Sequence, residues 1–349
     1  MPLENPLQPE EQPAQTPESD RAAGQESLLQ RTHLDLSKVK HAVDNVKREL
    51  QKVIVGQDAF VDFLLATLFA GGHALVEGVP GIAKTLTAKL LAQTLDIHFS
   101  RIQFTPDLMP SDVVGTTVFN LKTSDFSFNP GPIFANVVLI DEINRAPAKT
   151  QSALFEVMEE LQVTVDGKTY PMEHPFFVIA TQNPIEQEGT YKLPEAQLDR
   201  FLMKIPVSYP DLGEEKQILR RFQGDFGLNL RREVQKVLGV NDLQACRNLI
   251  QDIVITDPLI DYIAEIVHRT RSHGDVYLGA SPRASLAILK TAKAIAAMQG
   301  RDFVTPEDIQ YVAYPVLNHR IILQPEREIE GLEPQDVVRD ILKTLEVPR

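Results

Sequence analysis

The chain has one cysteine, Cys246, and no tryptophan in 349 residues. A single thiol excludes an intrachain disulfide and a cysteine metal cluster. Cys246 itself reads as a small apolar residue on a helix. Positive charge is also scarce. Thirty-five Lys and Arg stand against 48 Asp and Glu, a formal net charge of −13. A protein that coats nucleic acid carries a basic face, so this balance argues against nucleic acid as a partner. No apolar run reaches the length of a membrane span. The longest, Ala59 to Val76, is broken by Asp62, Gly71, Gly72 and His73, and reads as a buried helix running into a strand. The N-terminus lacks the basic-then-apolar order of a secretory signal. A cytoplasmic protein with no direct membrane insertion is expected. The eight histidines show no H-E-x-x-H spacing, so no structural metal is expected from them.

What is present is the composition of an ordinary globular chain, 43% apolar and 24% charged, long enough for two domains. Residues 1–30 are rich in Pro, Gln and Glu and read as a disordered tail. Residues 31–210 alternate short apolar runs with helical periods. "HALVEG", "VVLIDE" and "FFVIATQN" read as buried strands, and "KTQSALFEVMEEL" as an amphipathic helix. "VTVDGKTY" reads as a hairpin turning at Asp166-Gly167. Such alternation predicts an α/β fold, a parallel sheet flanked by helices. Residues 211–349 are almost wholly helical in period and predict a smaller all-α domain.

The stretch "EGVPGIAKT", Glu77 to Thr85, joins the first strand to a helix. Polyphosphate needs a loop whose N–H groups turn inward, followed by a helix N-terminus. Gly78 and Gly81 permit the turn, Pro80 stiffens it, and Val79, Ile82 and Ala83 complete the loop. Lys84 would reach the outer phosphates, and the Thr85 hydroxyl would bind Mg²⁺. Ala83 stands where the usual pattern has glycine. Its methyl is small enough for phosphate to approach, provided that its φ is negative.

Asp141 and Glu142 end the "VVLI" strand, at the edge where parallel sheets bind ligands. Asp141 can hold Mg²⁺ through water. Glu142 can orient and deprotonate a water attacking the terminal phosphate. Asn183 ends another strand and would help to place that water. Arg200, in "EAQLDRF", and Arg283, in "GASPRAS", can each give a cation to the γ-phosphate, in cis or from a neighbour. Taken singly, each arginine reads as a surface ion pair.

Together with "VIVGQ", "LIDEINRAPAKTQSALFEVMEE" and "IATQNPIEQEGTYKLPEAQLDRF", these motifs resemble the AAA+ ATPases, and more closely the MoxR family. The resemblance covers most of residues 35–325. It implies an AAA+ P-loop core followed by a helical lid, with ATP and Mg²⁺ as cofactors. It also accounts for Ala83, since MoxR-like loops commonly carry alanine there. It places Gly56 and Gln57 near the adenine. Asn183 becomes the first sensor, Arg200 an arginine finger acting in trans, and Arg283 the second sensor. It implies a homo-oligomeric ring, usually hexameric, that remodels client proteins as a chaperone-like ATPase. Proteins with a von Willebrand factor A domain are the implied partners. Two inserts, Thr117 to Phe134 and the Asp166-Gly167 hairpin, would project towards the ring pore. Phe126 and Phe128 read equally well as ordinary hairpin packing. A DNA-acting AAA+ motor and an ATP-dependent assembly switch are the alternative functions.

Overall fold

The computed structural model describes residues 34–122, 124–184, 190–224 and 233–348. The tail expected over residues 1–30 lies outside them. Helix α1 (Ser37–Gln51) follows from its spacing, because Val39, Val43, Val46 and Leu50 recur at helical intervals and are all buried. Helix α2 (Asp58–Phe69) is apolar on nearly every side, the mark of a helix inside a core. The chain then turns and enters β1 (Ala74–Glu77), so the long apolar run is a helix and a strand. No described helix is long and apolar enough to cross a membrane.

Helix α3 (Lys84–Thr94) and strand β2 (Phe99–Gln103) come next. A hairpin of β3 (Gly115–Asn120) and β4 (Asp125–Pro130) precedes β5 (Val137–Asp141) and helix α4 (Ala148–Glu160). A second hairpin pairs β6 (Gln162–Val165) with β7 (Lys168–Pro171). Its turn residues, Asp166 and Gly167, both have positive φ, as a two-residue hairpin turn requires. Strands β8 (Phe177–Gln182) and β9 (Met203–Pro206) complete the α/β part.

Five strands form one parallel sheet in the order β9-β1-β8-β5-β2. Every residue of β5 is buried, as expected of a strand covered on both faces. The register brings the strand ends level. Gln103 pairs with Asp141, and Glu77 pairs with Gln182. One edge of the sheet therefore collects the polar ends of four strands. Leu154, Phe155, Val138, Ile140 and Phe201 belong to one hydrophobic core cluster with this sheet. Phe155 meets Phe201 edge to face, with ring centres 5.7 Å apart. Each such side chain contributes roughly 1.5–3 kcal/mol by burial.

The helical part contains α5 (Leu212–Phe222), α6 (Val240–Gln251), α7 (Asp257–Ser272), α8 (Pro282–Met298), α9 (Pro306–Leu317) and α10 (Pro334–Thr344). Asp211 starts α5 by a reciprocal cap: its carboxylate accepts from the Glu214 amide, and Glu214 accepts from the Asp211 amide. Cys246 is fully buried on α6. This region is not purely helical. Strand β10 (Val276–Leu278) pairs antiparallel with β11 (Ile322–Leu323). Strands this short are too brief for alternation to show in the sequence.

Candidate functional site

The loop from Gly78 to Ala83 leaves β1 and delivers the chain to the first turn of α3. Gly81 has φ +87° and open space where a Cβ would point. Ala83 has φ +63°, in the left-handed region. The requirement of a negative φ at Ala83 is therefore not met, and the loop works differently. A left-handed residue just before the helix turns consecutive N–H groups to one side, which builds an anion-binding concavity. Alanine tolerates that conformation at a cost of about 1–2 kcal/mol. Lys84 Nζ donates to the Gly78 carbonyl, and also to the Gln182 carbonyl at 3.1 Å. The ammonium group thus lies between the loop and the end of β8.

Thr85 Oγ1 donates to Asp141 Oδ1 at 2.7 Å. Arg101, on β2, donates from Nε to Asp141 Oδ2 at 2.7 Å. Asp141 is buried, and a third side chain, Thr181, donates to its Oδ1 at 3.3 Å. A hydroxyl and a carboxylate oxygen this close fit a hard cation such as Mg²⁺, which takes one or two protein oxygens and phosphate for the rest. Thr85 and Asp141 would hold it, and the charge it would supply there opposes that of a polyphosphate.

Glu142 follows at φ +59°, and its amide donates to Thr181 Oγ1 at 3.1 Å. Its Oε2 accepts from Gln103 Nε2 at 2.9 Å and pairs with Arg145 Nε at 3.0 Å. Both partners therefore use the same oxygen. Asn183 is buried immediately beyond β8, the strand between β1 and β5.

Gly56 and Gln57 both have positive φ and lead into α2. Gln57 Nε2 donates to the Ile82 carbonyl at 2.8 Å, which ties this segment to the phosphate loop. Its Oε1 is a buried acceptor that no donor among the described residues satisfies. An adenine amino group is a donor of the required kind. Gly56 has φ +66°, where a side chain is strained, and a Cβ there would also displace the Glu214 carboxylate. Arg221, also on α5, donates to the carbonyls of Gln51 and Ile54. Helix α5 is thus fastened beside the segment that carries Gly56 and Gln57.

Arg200 and Arg283 stand apart from this group. Met203 pairs with Ala74, so Arg200 lies at the amino edge of the sheet, whereas the phosphate loop leaves the carboxyl edge. Arg200 Nε meets Glu159 Oε2 at 3.3 Å, and Arg283 Nη2 meets Glu159 Oε1 at 2.8 Å. Glu159 lies in the last turn of α4, and its neighbour Met158 offers a carbonyl to His73, just ahead of β1. One carboxylate at the amino edge therefore gathers both arginines. The sequence brought neither Glu159, Gln103, Arg101 nor Arg145 into the site. Arg101 and Gln103 sit in "FSRIQ", whose charge hides a strand, and Glu159 is one acid among several on α4.

A phosphate loop at the carboxyl edge of a parallel sheet, an acidic strand end beside it and a following helical region define the AAA+ fold class. Comparison with known proteins agrees. Residues 73–203 match the family described as "ATPase family associated with various cellular activities (AAA)", and residues 268–341 match the AAA lid domain. The chain is 47% identical to the YeaC protein of Bacillus subtilis (strain 168), over 88% of this chain and 94% of that protein. It is 42% identical to Chaperone MoxR1 of Mycobacterium tuberculosis, over 88% of this chain and 83% of the relative. A crystal structure of a protein from Cytophaga hutchinsonii superposes with a TM-score of 0.82 at 44% identity, covering 95% of this chain and 99% of that one. The chain belongs to the MoxR family of AAA+ ATPases.

Proposed function

We propose that this chain hydrolyses ATP at the boundary between two copies of itself and uses the turnover to remodel client proteins. The observation that carries the reading is the placement of Arg200 and Arg283. Both are held by Glu159 at the sheet edge opposite the phosphate loop of the same chain. Neither can serve that loop, and a neighbouring copy is the natural recipient. Lys84 binds the outer phosphates, and Thr85 and Asp141 hold Mg²⁺. Glu142 accepts a proton from the attacking water through the carboxylate oxygen that Gln103 and Arg145 leave free. Asn183 positions that water. A cation reaching the γ-phosphate in trans is worth about 10³–10⁵ in rate. A closed ring satisfies every boundary, and the family resemblance favours a hexamer.

The β3–β4 hairpin supports contact with a client. Phe126 is 66% exposed and Leu121 85% exposed, next to the half-exposed Phe119. Phe128 has a different role. Its ring stacks on Tyr170 of the second hairpin, with centres 4.2 Å apart, and meets Phe134 at 5.7 Å. Packing accounts for Phe128 and leaves Phe126 to face a partner. A protein with a von Willebrand factor A domain is the partner that the family resemblance suggests.

Mixing two inactive variants tests the reading. Arg200→Ala keeps its own phosphate loop, and Lys84→Ala keeps its own arginine. Mixed boundaries contain an intact Lys84 on one side and an intact Arg200 on the other, so ATPase activity partly returns. A concentration-independent monomeric ATPase, undiminished by Arg200→Ala, overturns it.

A further inference from the structure

A cavity of about 400 Å³ opens at the amino edge of the sheet, away from the phosphate loop. Its mouth is basic: Arg247 on α6 and Lys290 and Lys293 on α8 line it. Glu159 is the one carboxylate among its described lining residues, and Glu159 is already paired with Arg200 and Arg283. Arg247 gives Nε and Nη2 to the Leu68 carbonyl, at 3.1 and 2.7 Å. Lys293 gives Nζ to the Gln251 carbonyl at 2.9 Å. These are backbone dipoles, not counter-charges. Among the described residues no ion pair holds Arg247, Lys290 or Lys293. Burial pushes the Arg247 guanidinium down to about 10 and lowers Lys293 as well. Arg247 and Lys293 are half-buried, with Asp252 the carboxylate that acts on Lys293, and Lys290 is exposed, so the cavity presents three cations against the single Glu159 carboxylate and favours an anion. The inner wall is apolar, with Phe69, Met158 and Phe176. A volume of this size suits a small molecule.

We propose that this cavity binds a small organic phosphate ester, with its phosphate between Arg247, Lys290 and Lys293 and its apolar or planar body against Phe69, Met158 and Phe176. A lining that carries three cations matches a dianionic phosphate better than a single carboxylate. Arg283 and Lys290 lie seven residues apart on α8, so they share a helix face. Occupancy therefore adjoins the carboxylate that gathers both arginines. An effect of occupancy on hydrolysis through Glu159 rests on the trans-arginine reading, but the binding itself does not.

The test uses the full chain carrying Lys84→Ala, so that the phosphate loop does not compete, and 1-naphthyl phosphate as the probe. Calorimetry should show one saturable site per chain with a Kd tighter than about 1 mM. Lys290→Ala combined with Lys293→Ala should weaken it roughly tenfold or more, the loss expected for charge-assisted bonds. Both lysines are outside the core, so the fold survives, and Arg247→Ala gives a second reading where the protein stays folded by circular dichroism. Uncharged 1-naphthol should not bind. Absence of saturable binding overturns the proposal, as does unchanged affinity in the double-lysine variant or equal binding of 1-naphthol. If Lys290→Glu instead weakens self-association and leaves probe binding intact, the cations belong to a subunit contact and the proposal also fails.

Discussion

Arg320 Nε donates to Asp199 Oδ1 at 2.7 Å, with the Arg320 side chain only 3% exposed. The same guanidinium reaches the carbonyls of Asp199, Phe201, Leu202 and Val316. Asp199 also accepts from Ser281, the residue before α8. This network ties the helical part to the turn that presents Arg200. Removing one partner strands a buried charge and its hydrogen bonds, which costs about 3–5 kcal/mol. Arg320→Ala should therefore lower the urea midpoint steeply. Arg320→Lys should not restore it, because an ammonium cannot span the same fork of acceptors. A midpoint within experimental error of the parent in Arg320→Ala would remove the network from the stability of the fold.

Ala83 carries a left-handed backbone that glycine adopts without strain. Ala83→Gly should relieve about 1–2 kcal/mol in the folded state. It should lose about 0.4–1 kcal/mol through the greater freedom of the unfolded chain. The net expectation is a gain of about 0.5–1 kcal/mol, with ATP-analogue affinity little changed. Ala83→Val should destabilise, since a β-branched residue resists this region. Chemical denaturation of both variants decides it, and a less stable Ala83→Gly would contradict the strain.

His73 is buried ahead of β1, where its Nδ1 accepts from the Val178 amide at 3.1 Å and its Nε2 faces the Met158 carbonyl at 3.3 Å. This pattern holds the neutral ring. Burial pushes its pKa down to about 4. His319 is also held well below its ordinary value by burial, with Arg320 beside it. In the unfolded chain a histidine takes its proton near pH 6.5. Below that pH the unfolded state binds the proton and the folded state refuses it, so stability falls as pH drops from about 6.5 towards 4. For His73 alone the loss is about 3 kcal/mol across that window, and it is fully regained above it. His73→Gln should flatten that part of the stability–pH curve. Urea unfolding at a series of pH values checks it, and an unchanged slope in His73→Gln would refute the assignment.

Much of this molecule was legible because its chemistry is local. The phosphate loop, β5 with its two carboxylates, and the Asp166-Gly167 turn each depend on residues adjacent in sequence. The flanking strands were not legible. Strand β2 has only Ile102 buried, with Ser100 and Arg101 in its middle, and β9 is four residues long. Pairing with β5 and β1 makes them strands, and no period announces that. The conformation of Ala83 was misjudged because side-chain size was weighed and the geometry of the turn was not. Glu159 stayed hidden for another reason: its two partners, Arg200 and Arg283, lie 41 and 124 residues away.

Gln103 offers the last prediction, and it tests what holds the proposed base. Its amide donates to Glu142 Oε2 at 2.9 Å, on the oxygen that Arg145 also engages. Gln103 comes from β2 and Glu142 from the end of β5, so the bond joins two strand ends across the register. Glu142→Gln keeps the shape but cannot accept the water's proton, and turnover should fall by about 10²–10⁴. ATP binding should persist, because Lys84 and the loop are untouched. Gln103→Leu should lower turnover less, by roughly tenfold, since Arg145 still orients the carboxylate and small misplacements of a reacting group are costly. If Gln103 acts only through Glu142, adding Gln103→Leu to Glu142→Gln should cost nothing further, and the double-mutant cycle should show strong coupling. Additive losses would mean that Gln103 has a separate role. A raised ATP dissociation constant in Gln103→Leu, with turnover intact, would place it in binding and not in chemistry.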